Sequence, residues 1–338
     1  MADTFNYRID HHGSLVRPAG LTRDDADAVD AAVQDVVAYQ RKLRSTVVTD
    51  GGYPYEDFRS PVLDGLSGVR RTGETDGHGL ACWVAEALPK ADGPLVADRV
   101  KRLGELTAMA PKVRLPAPSY LAATLYNAEL AASGGPASAR ELGEAFAGII
   151  RAEIARLVGA GVRLIQLDNP LMLAATAPAE VPIGALSFAD ALAVDAPAVR
   201  LDTRSEGVRI GVCPGWAAPA SVDLAKADRL YAEVPADRWV LPLLTGSEAE
   251  HDLVRALPEE RDVCFGVVDA ARPGLEEIDT VLDRLDAVGE LKDLEDAAVA
   301  PSRGFADIAD RPLVAADDQR RKLVLVETLA RYVWGNEF

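Results

Sequence analysis

The stretch Arg209-Ile210-Gly211-Val212-Cys213-Pro214-Gly215-Trp216 decides how this chain is read. An apolar run ends on Cys213 and breaks at Pro214-Gly215. A short apolar run bounded by turn residues predicts a buried strand, here with a thiol at its C-terminal end. In a parallel α/β barrel that edge is where the chemistry sits. Further on, Leu230-Tyr231-Ala232-Glu233-Val234 repeats the pattern and ends on Glu233. A thiol and a carboxylate at neighbouring strand ends are half of a zinc site.

Short β-like runs rich in Val, Ile and Leu recur on both sides of this stretch. The predicted strands are 45–49, 111–115, 162–167, 209–213, 229–234, 239–243, 262–268 and 297–300. Amphipathic helices are predicted between them at 24–43, 138–158, 273–288 and 319–334. The second opens with Ser138-x-x-Glu141, a capping box, and carries Leu142, Phe146, Ile149, Ile150, Ile154 and Leu157 at helical spacing. Gly159 and Gly161 then stop it. Strand–helix alternation along the whole chain predicts a (β/α)8 TIM barrel, read as a single domain over 1–338. A doubly wound sheet is the competing arrangement, but no GxGxxG follows a strand and no GxxxxGK[ST] occurs. Residues 51–79, rich in Gly, Arg and Asp, are the longest irregular stretch. They read either as a lid over one barrel mouth or as a surface insertion.

Length and composition fit this picture. The chain has 338 residues, 49% of them hydrophobic, enough for one large barrel. Its formal net charge of −17 repels phosphate backbones, so a nucleic-acid partner is not expected. No apolar stretch reaches the ~18 residues of a membrane span, and no membrane partner is expected. The polar N-terminal MADTFNYRID lacks a signal-peptide core, which makes the cytoplasm the expected location. Three cysteines, Cys82, Cys213 and Cys264, lie in separate segments and read as reduced thiols. A homo-oligomer is compatible with all of this.

Polar residues cluster just after the predicted strands: Asp50, Lys112 and Arg114, Asp168 and Asn169, Cys213, Glu233, Asp269, and Ser302 with Arg303. That many at one edge exceeds what helix capping needs and predicts a polar pocket for a small molecule. At this point the chain resembles the catalytic domain of cobalamin-independent methionine synthase and its short single-barrel relatives. The strings that carry the resemblance are HHGSLVRP, TDGGYPYEDF, KVRLPAPSY, GVRLIQLDNP, GVCPGW, LYAEV, FGVVDAARPGLEEID, APSRGF and ARYVWG, in order over nearly the whole length.

The resemblance implies a TIM barrel that transfers a methyl group from methyltetrahydrofolate to a thiol held on zinc. Zinc lowers a thiol's pKa and keeps it nucleophilic. Of the family's four ligands, Cys213 matches the cysteine of an HxC motif and Glu233 the glutamate. Gly211 stands at the histidine position and Arg303 at the second cysteine position, so two ligands are missing. The family's second carboxylate after strand 45–49 is replaced by Gly52, and the Asp-Glu-Pro motif keeps Asp168 but has Asn169. A proposed general-acid histidine is replaced by Ala271, while the substrate-contacting Gly13-Ser14 survives.

The expected catalytic residues are therefore His12, Asp168, Cys213, Glu233 and Arg303, and the expected metal ligands, if zinc binds, are Cys213 and Glu233. His11, Gly13, Ser14, Asp50, Lys112, Asn169 and Asp269 are the expected substrate contacts. His12 is a candidate acid–base group or relocated ligand. Arg303 either replaces the metal's charge and holds an anion, or turns outward into a salt bridge. The expected activity is methyl or alkyl transfer to a small, thiol-type substrate. The alternative is a metal-independent lyase, decarboxylase or transferase, as in the related uroporphyrinogen decarboxylase family, where charged side chains stabilise the developing charge.

Overall fold

The computed structural model describes residues 7–201 and 203–335; residues 1–6 of the polar N-terminal stretch lie outside them. Seven parallel strands form one curled sheet, in the order β1 (Val47–Val48), β4 (Ala110–Pro116), β5 (Leu164–Asp168), β6 (Arg209–Cys213), β7 (Arg238–Pro242), β8 (Asp262–Val268) and β9 (Ala297–Pro301). The two sheet ends meet at residue 9. Asp10 N donates to Val299 O and Val299 N to Arg8 O, while Thr46 N donates to Ile9 O. The segment around Ile9 thus lies between β9 and β1 and takes the eighth place in a TIM barrel.

Helices connect and cover the strands: α1 (Ala26–Lys42), α2 (Ser60–Leu63), α3 (Ala97–Leu106), α4 (Pro118–Leu125), α5 (Ala139–Gly159), α6 (Met172–Ala175), α7 (Phe188–Val199), α8 (Leu224–Glu233), α9 (Glu248–Arg255), α10 (Ile278–Gly289) and α11 (Ala316–Trp334). Strand residues that point outward, such as Ile165, Ile210, Trp239 and Phe265, join Leu142, Phe146 and Ile150 of α5 in the main apolar core. Ser138 caps α5 as predicted, but Glu141 reaches back to Ala137 N and not to the cap residue. None of the described helices is long and apolar enough to cross a membrane.

Two expectations are corrected. Residues 229–234 are the end of α8, not a strand. The buried positions Ala227, Leu230, Tyr231 and Val234 recur at the spacing of one helix face, and Asp223 caps the helix by accepting from Ala225 N. A window that began at Arg229 hid that period. The stretch 51–79 is not merely irregular. It runs into an antiparallel hairpin of β2 (Leu66–Thr75) and β3 (Ala81–Ala91), and β3 packs against α4 and α5. Its turn reaches the loop after β9, where Arg311 lies against Gly79. Alternation was invisible here because β2 is exposed along most of its length.

The barrel interior is polar at mid-depth. Lys112 Nζ donates to Asp10 Oδ1 at 2.7 Å, and Arg238 Nη2 approaches Asp10 Oδ2 at 3.4 Å, all three side chains being buried. Burial pushes the Asp10 carboxyl up, but the two cations hold it below its ordinary value. Asp10→Ala leaves two buried cations without their anion. It should cost ~3–5 kcal/mol, measured as a lower midpoint in urea denaturation.

Candidate active site

Side chains alternate along a strand, so residues two apart share a face. Asp10 and His12, Lys112 and Arg114, Gln166 and Asp168, and Gly211 and Cys213 therefore form pairs along the barrel's inner wall, the second of each nearer the C-terminal mouth. Arg114 Nε donates to Asp168 Oδ2 at 2.8 Å, with Nη2 2.6 Å from the same oxygen. Burial opposes both charges. Asp168's carboxyl is pushed up by it and pulled back by Arg114, while the neighbouring carboxylates keep Arg114 cationic.

The Gln166 amide donates to Asp168 Oδ1 at 2.6 Å and to His12 Nδ1 at 3.0 Å. With Nδ1 accepting, the ring proton sits on Nε2, which donates to Cys213 Sγ at 3.3 Å. The thiol in turn donates to Gly215 O at 3.6 Å. Burial, with Arg114 and Lys112 adding to it, drives His12 well below its ordinary pKa. Burial and the nearby Asp168 drive the Cys213 thiol well above its own. The pair is therefore neutral imidazole and neutral thiol, not imidazolium and thiolate.

Two cavities open above this wall. The first, ≈ 60 Å³, is bounded by Gly13, Ser14, Asp50, Tyr55, Arg99 and Arg114, with Lys112 at its base. A water-sized group needs about 10–15 Å³ by this measure, so the space suits a small molecule. Asp50 sits at the turn after β1, where its Oδ1 accepts from Gly52 N, and burial raises its carboxyl above the ordinary range. Gly52 is at φ +73°, and a Cβ there would fall 2.5 Å from Ser14 Oγ. A glutamate is therefore excluded at this position by Ser14 as well as by backbone conformation.

The second cavity, ≈ 420 Å³, is bounded by Pro170, Leu173, Trp216, Asp269, Ser302 and Arg303. The Arg303 guanidinium lies 3.8 Å from the Trp216 ring centroid and donates from Nε to Asp307 Oδ2 at 2.9 Å. Trp216 meets Phe58 edge-on, with centroids 6.2 Å apart, and Phe58 contacts Tyr120 at 5.4 Å. Phe58 belongs to the first cavity and Trp216 to the second. A partition of aromatic rings and the Arg303–Asp307 pair thus divides the mouth.

The fold matches solved structures over nearly full length. A protein from Listeria monocytogenes, assigned as a vitamin-B12-independent methionine synthase, superposes with a TM-score of 0.74 at 16% identity, covering 98% of each chain. A B12-independent methionine synthase from Shewanella sp. W3-18-1, in complex with selenomethionine, gives 0.74 at 18% identity, covering 97% of each. The chain has the fold of the B12-independent methionine synthases. A methyltransferase from Methanosarcina mazei is more distant, at 0.54 and 12% identity over 96% of this chain and 94% of that one. No protein-family model and no curated protein matches the chain.

The donors present do not fit the zinc of a methionine synthase. No group of three metal-binding side chains occurs among the described residues. Glu233, expected as catalytic residue and ligand, lies on α8, is 42% exposed and pairs with Arg229 one helical turn earlier. Gly211 offers no side chain, and strand register places it between Gln166 and Arg238. Arg303 brings a guanidinium to the rim. His12 and Cys213 adjoin, and they bond each other.

Two substrate contacts are also corrected. His11 projects to the face opposite His12, bonds Ser45 Oγ, and is held by burial at a pKa of about 4. Asn169 is fully buried and donates to Ser119 Oγ at 2.7 Å, behind the cavities. Ser119 is gripped by Asp195 of α7, through its backbone N–H at 2.8 Å and its hydroxyl at 2.6 Å. Gln166, Trp216, Asp195 and Asp307 were not singled out in the sequence. Strand period alone could have found Gln166, two residues before Asp168.

Glu233→Ala should change stability by no more than ~0.5 kcal/mol and leave ligand binding intact, as thermal melts and titration will show. Asp195 titrates at about 6 because burial favours its neutral form. A raised carboxyl pKa stabilises the fold below the unfolded value and loses that contribution as pH rises to about 6. Urea midpoints should therefore fall from pH 4 to 6, and Asp195→Asn should remove up to ~1.4 kcal/mol per pH unit of that slope.

Proposed function

We propose that the chain catalyses methyl or alkyl transfer between two small molecules, an acceptor in the first cavity and a larger donor against Trp216 in the second. The observation that carries this reading is the pair of cavities on either side of one partition. A transferase needs two substrates side by side, whereas a lyase or decarboxylase needs one. Asp50 and the guanidinium groups of Arg99 and Arg114 face the first cavity, which suits a molecule bearing both charges. The Shewanella protein was solved with selenomethionine, a molecule of that class.

In the transfer, the acceptor's heteroatom attacks the donor's alkyl carbon. The carbon–nitrogen bond of a methyltetrahydrofolate-type donor breaks, its electron pair stays on nitrogen, and that nitrogen takes up a proton. The acceptor's own proton passes to Asp50, whose raised pKa makes it a better base than an exposed carboxylate. Arg114, fixed by Asp168, orients the acceptor's anionic end, and Trp216 and Arg303 orient the donor. Cys213 and His12, neutral and paired, shape the floor. No step is assigned to zinc, because the donor set does not hold it.

The test is chelator-treated protein with homocysteine and 5-methyltetrahydrofolate labelled in the methyl group. The expected result is transfer that requires both substrates and survives chelation. Activity should fall as pH drops through the raised Asp50 pKa, and Asp50→Asn should abolish this acid limb. Trp216→Ala should raise the donor's KM about tenfold, equal to ~1.4 kcal/mol of lost stacking and burial, and spare the acceptor's KM. Release of carbon dioxide or an elimination product from a single substrate, or no label transfer, would overturn the reading.

A further inference from the structure

The barrel wall is not closed between β1 and β4. The two strands pair only at Val47 with Ala110 and at Val48 with Pro111. Beyond Val48 the Gln40 side chain of α1 takes the backbone of Thr49, accepting from its N–H at 2.9 Å and donating to its carbonyl at 2.8 Å. The β1–β4 ladder stops there, whereas β4 stays paired with β5 up to Pro116. The first cavity extends through this gap, from Gly13 and Arg114 on the inner side to Arg99, Val100 and Leu103 of α3 on the outer side.

Helix α3 is held over the gap from α5. The buried Glu153 carboxylate accepts from Val96 N at 2.8 Å and Ala97 N at 3.0 Å, and its other oxygen accepts from Arg156. A carboxylate suits the positive end of a helix, and here it fixes where Arg99 stands, two residues beyond Ala97. The Arg99 guanidinium lies 5.3 Å from the Tyr55 ring centroid, and both residues line the cavity. It makes no ion pair among the described residues, although the chain has 53 acidic residues to 36 Lys and Arg. Arg99 and Arg114 both act on the Asp50 carboxyl, which puts that group within reach of the two cations. On the inner side, a side-chain carbon on Gly13 would lie 3.0 Å from Arg114 Nη1, so a glycine there leaves this guanidinium open to the cavity.

We propose that the first cavity takes a dicarboxylic acid, with one carboxylate on Arg99, the other on Arg114, and the reacting heteroatom between them against Asp50. The proposal rests on reading that cavity as the acceptor site. Guanidinium groups bind carboxylates through charge-assisted bonds, and a cation without an acid of its own has the most to gain from one. Arg99 then sets specificity: it separates a diacid from a monoacid of the same shape, because Arg114 serves either. Val100 and Leu103 line the passage beside Arg99 with apolar side chains, which suit a short hydrocarbon link and leave a further polar group unmet.

The test is calorimetric titration of the full chain with mercaptosuccinate and with 2-mercaptobutanoate, in which a methyl group replaces one carboxylate. The wild type should bind the diacid about tenfold more tightly, the effect of one charge-assisted bond. Arg99→Gln, which removes the charge, should bring the two affinities within about threefold. Arg99→Lys, which keeps the charge, should retain most of the preference. Arg99 is exposed, so neither substitution disturbs the packed core. Equal binding of both ligands by the wild type, binding of neither, undiminished preference in Arg99→Gln, or the same loss in Arg99→Lys as in Arg99→Gln would overturn the proposal. Preference for the diacid without methyl transfer to any thiol would sink the transferase reading alone. Methyl transfer without the preference would sink the Arg99 assignment alone.

Discussion

A guanidinium inside a barrel needs a carboxylate beside it, and the Arg114–Asp168 pair is the contact on which the rest of the site depends. Each partner alone would be an uncompensated buried charge. Together they fix the upper ends of β4 and β5, which are neighbours in register, Arg114 opposite Gln166 and Pro116 opposite Asp168. Asp168 then orients the Gln166 amide, the amide sets the tautomer of His12, and His12 supplies the proton that meets Cys213. On its other side the Arg114 guanidinium borders Gly13 and feels Asp307, so the same pair shapes the wall of the first cavity.

This chain of contacts explains why a retained cysteine does not amount to a retained metal site. A zinc-binding thiol needs an environment that favours thiolate, supplied by the metal and by further ligands. Cys213 is instead deeply buried beside the Asp168 carboxylate, and both of these favour the protonated form. The positive charge at this end of the barrel comes from Arg114 and Arg303, each tied to its own carboxylate. Fixed guanidinium groups bind and orient anions, which agrees with the small charged substrate proposed for this pocket.

Much of the fold was legible because parallel strands buried on both faces leave an unmistakable trace. β6 and β8 match the predicted runs 209–213 and 262–268 residue for residue. The failures have specific causes. Leu230, Tyr231 and Val234 look like a strand within a six-residue window and like a helix face only when Ala227 is included. The segment at Ile9 is too short to declare itself as a strand, and it counts as one only because β9 and β1 lie on either side of it. The hairpin of β2 and β3 is mostly exposed, so burial imposed no alternation on it.

By itself the sequence determined the barrel class, the strand-end edge where polar side chains gather, and the positions of Asp50, Arg114, Asp168, Cys213 and Arg303 along that edge. These follow from local pattern, because apolar periodicity and turn residues record which backbone is buried. Tertiary structure alone decided which of these groups meet. It turned His11 away from His12, put Glu233 on an outer helix, and sent Arg303 onto Asp307 and Trp216. It also brought in Asp307, from a loop the motifs do not reach, as the partner of Arg303. Pairing of charges across a barrel joins residues far apart in the chain, and no local period encodes it.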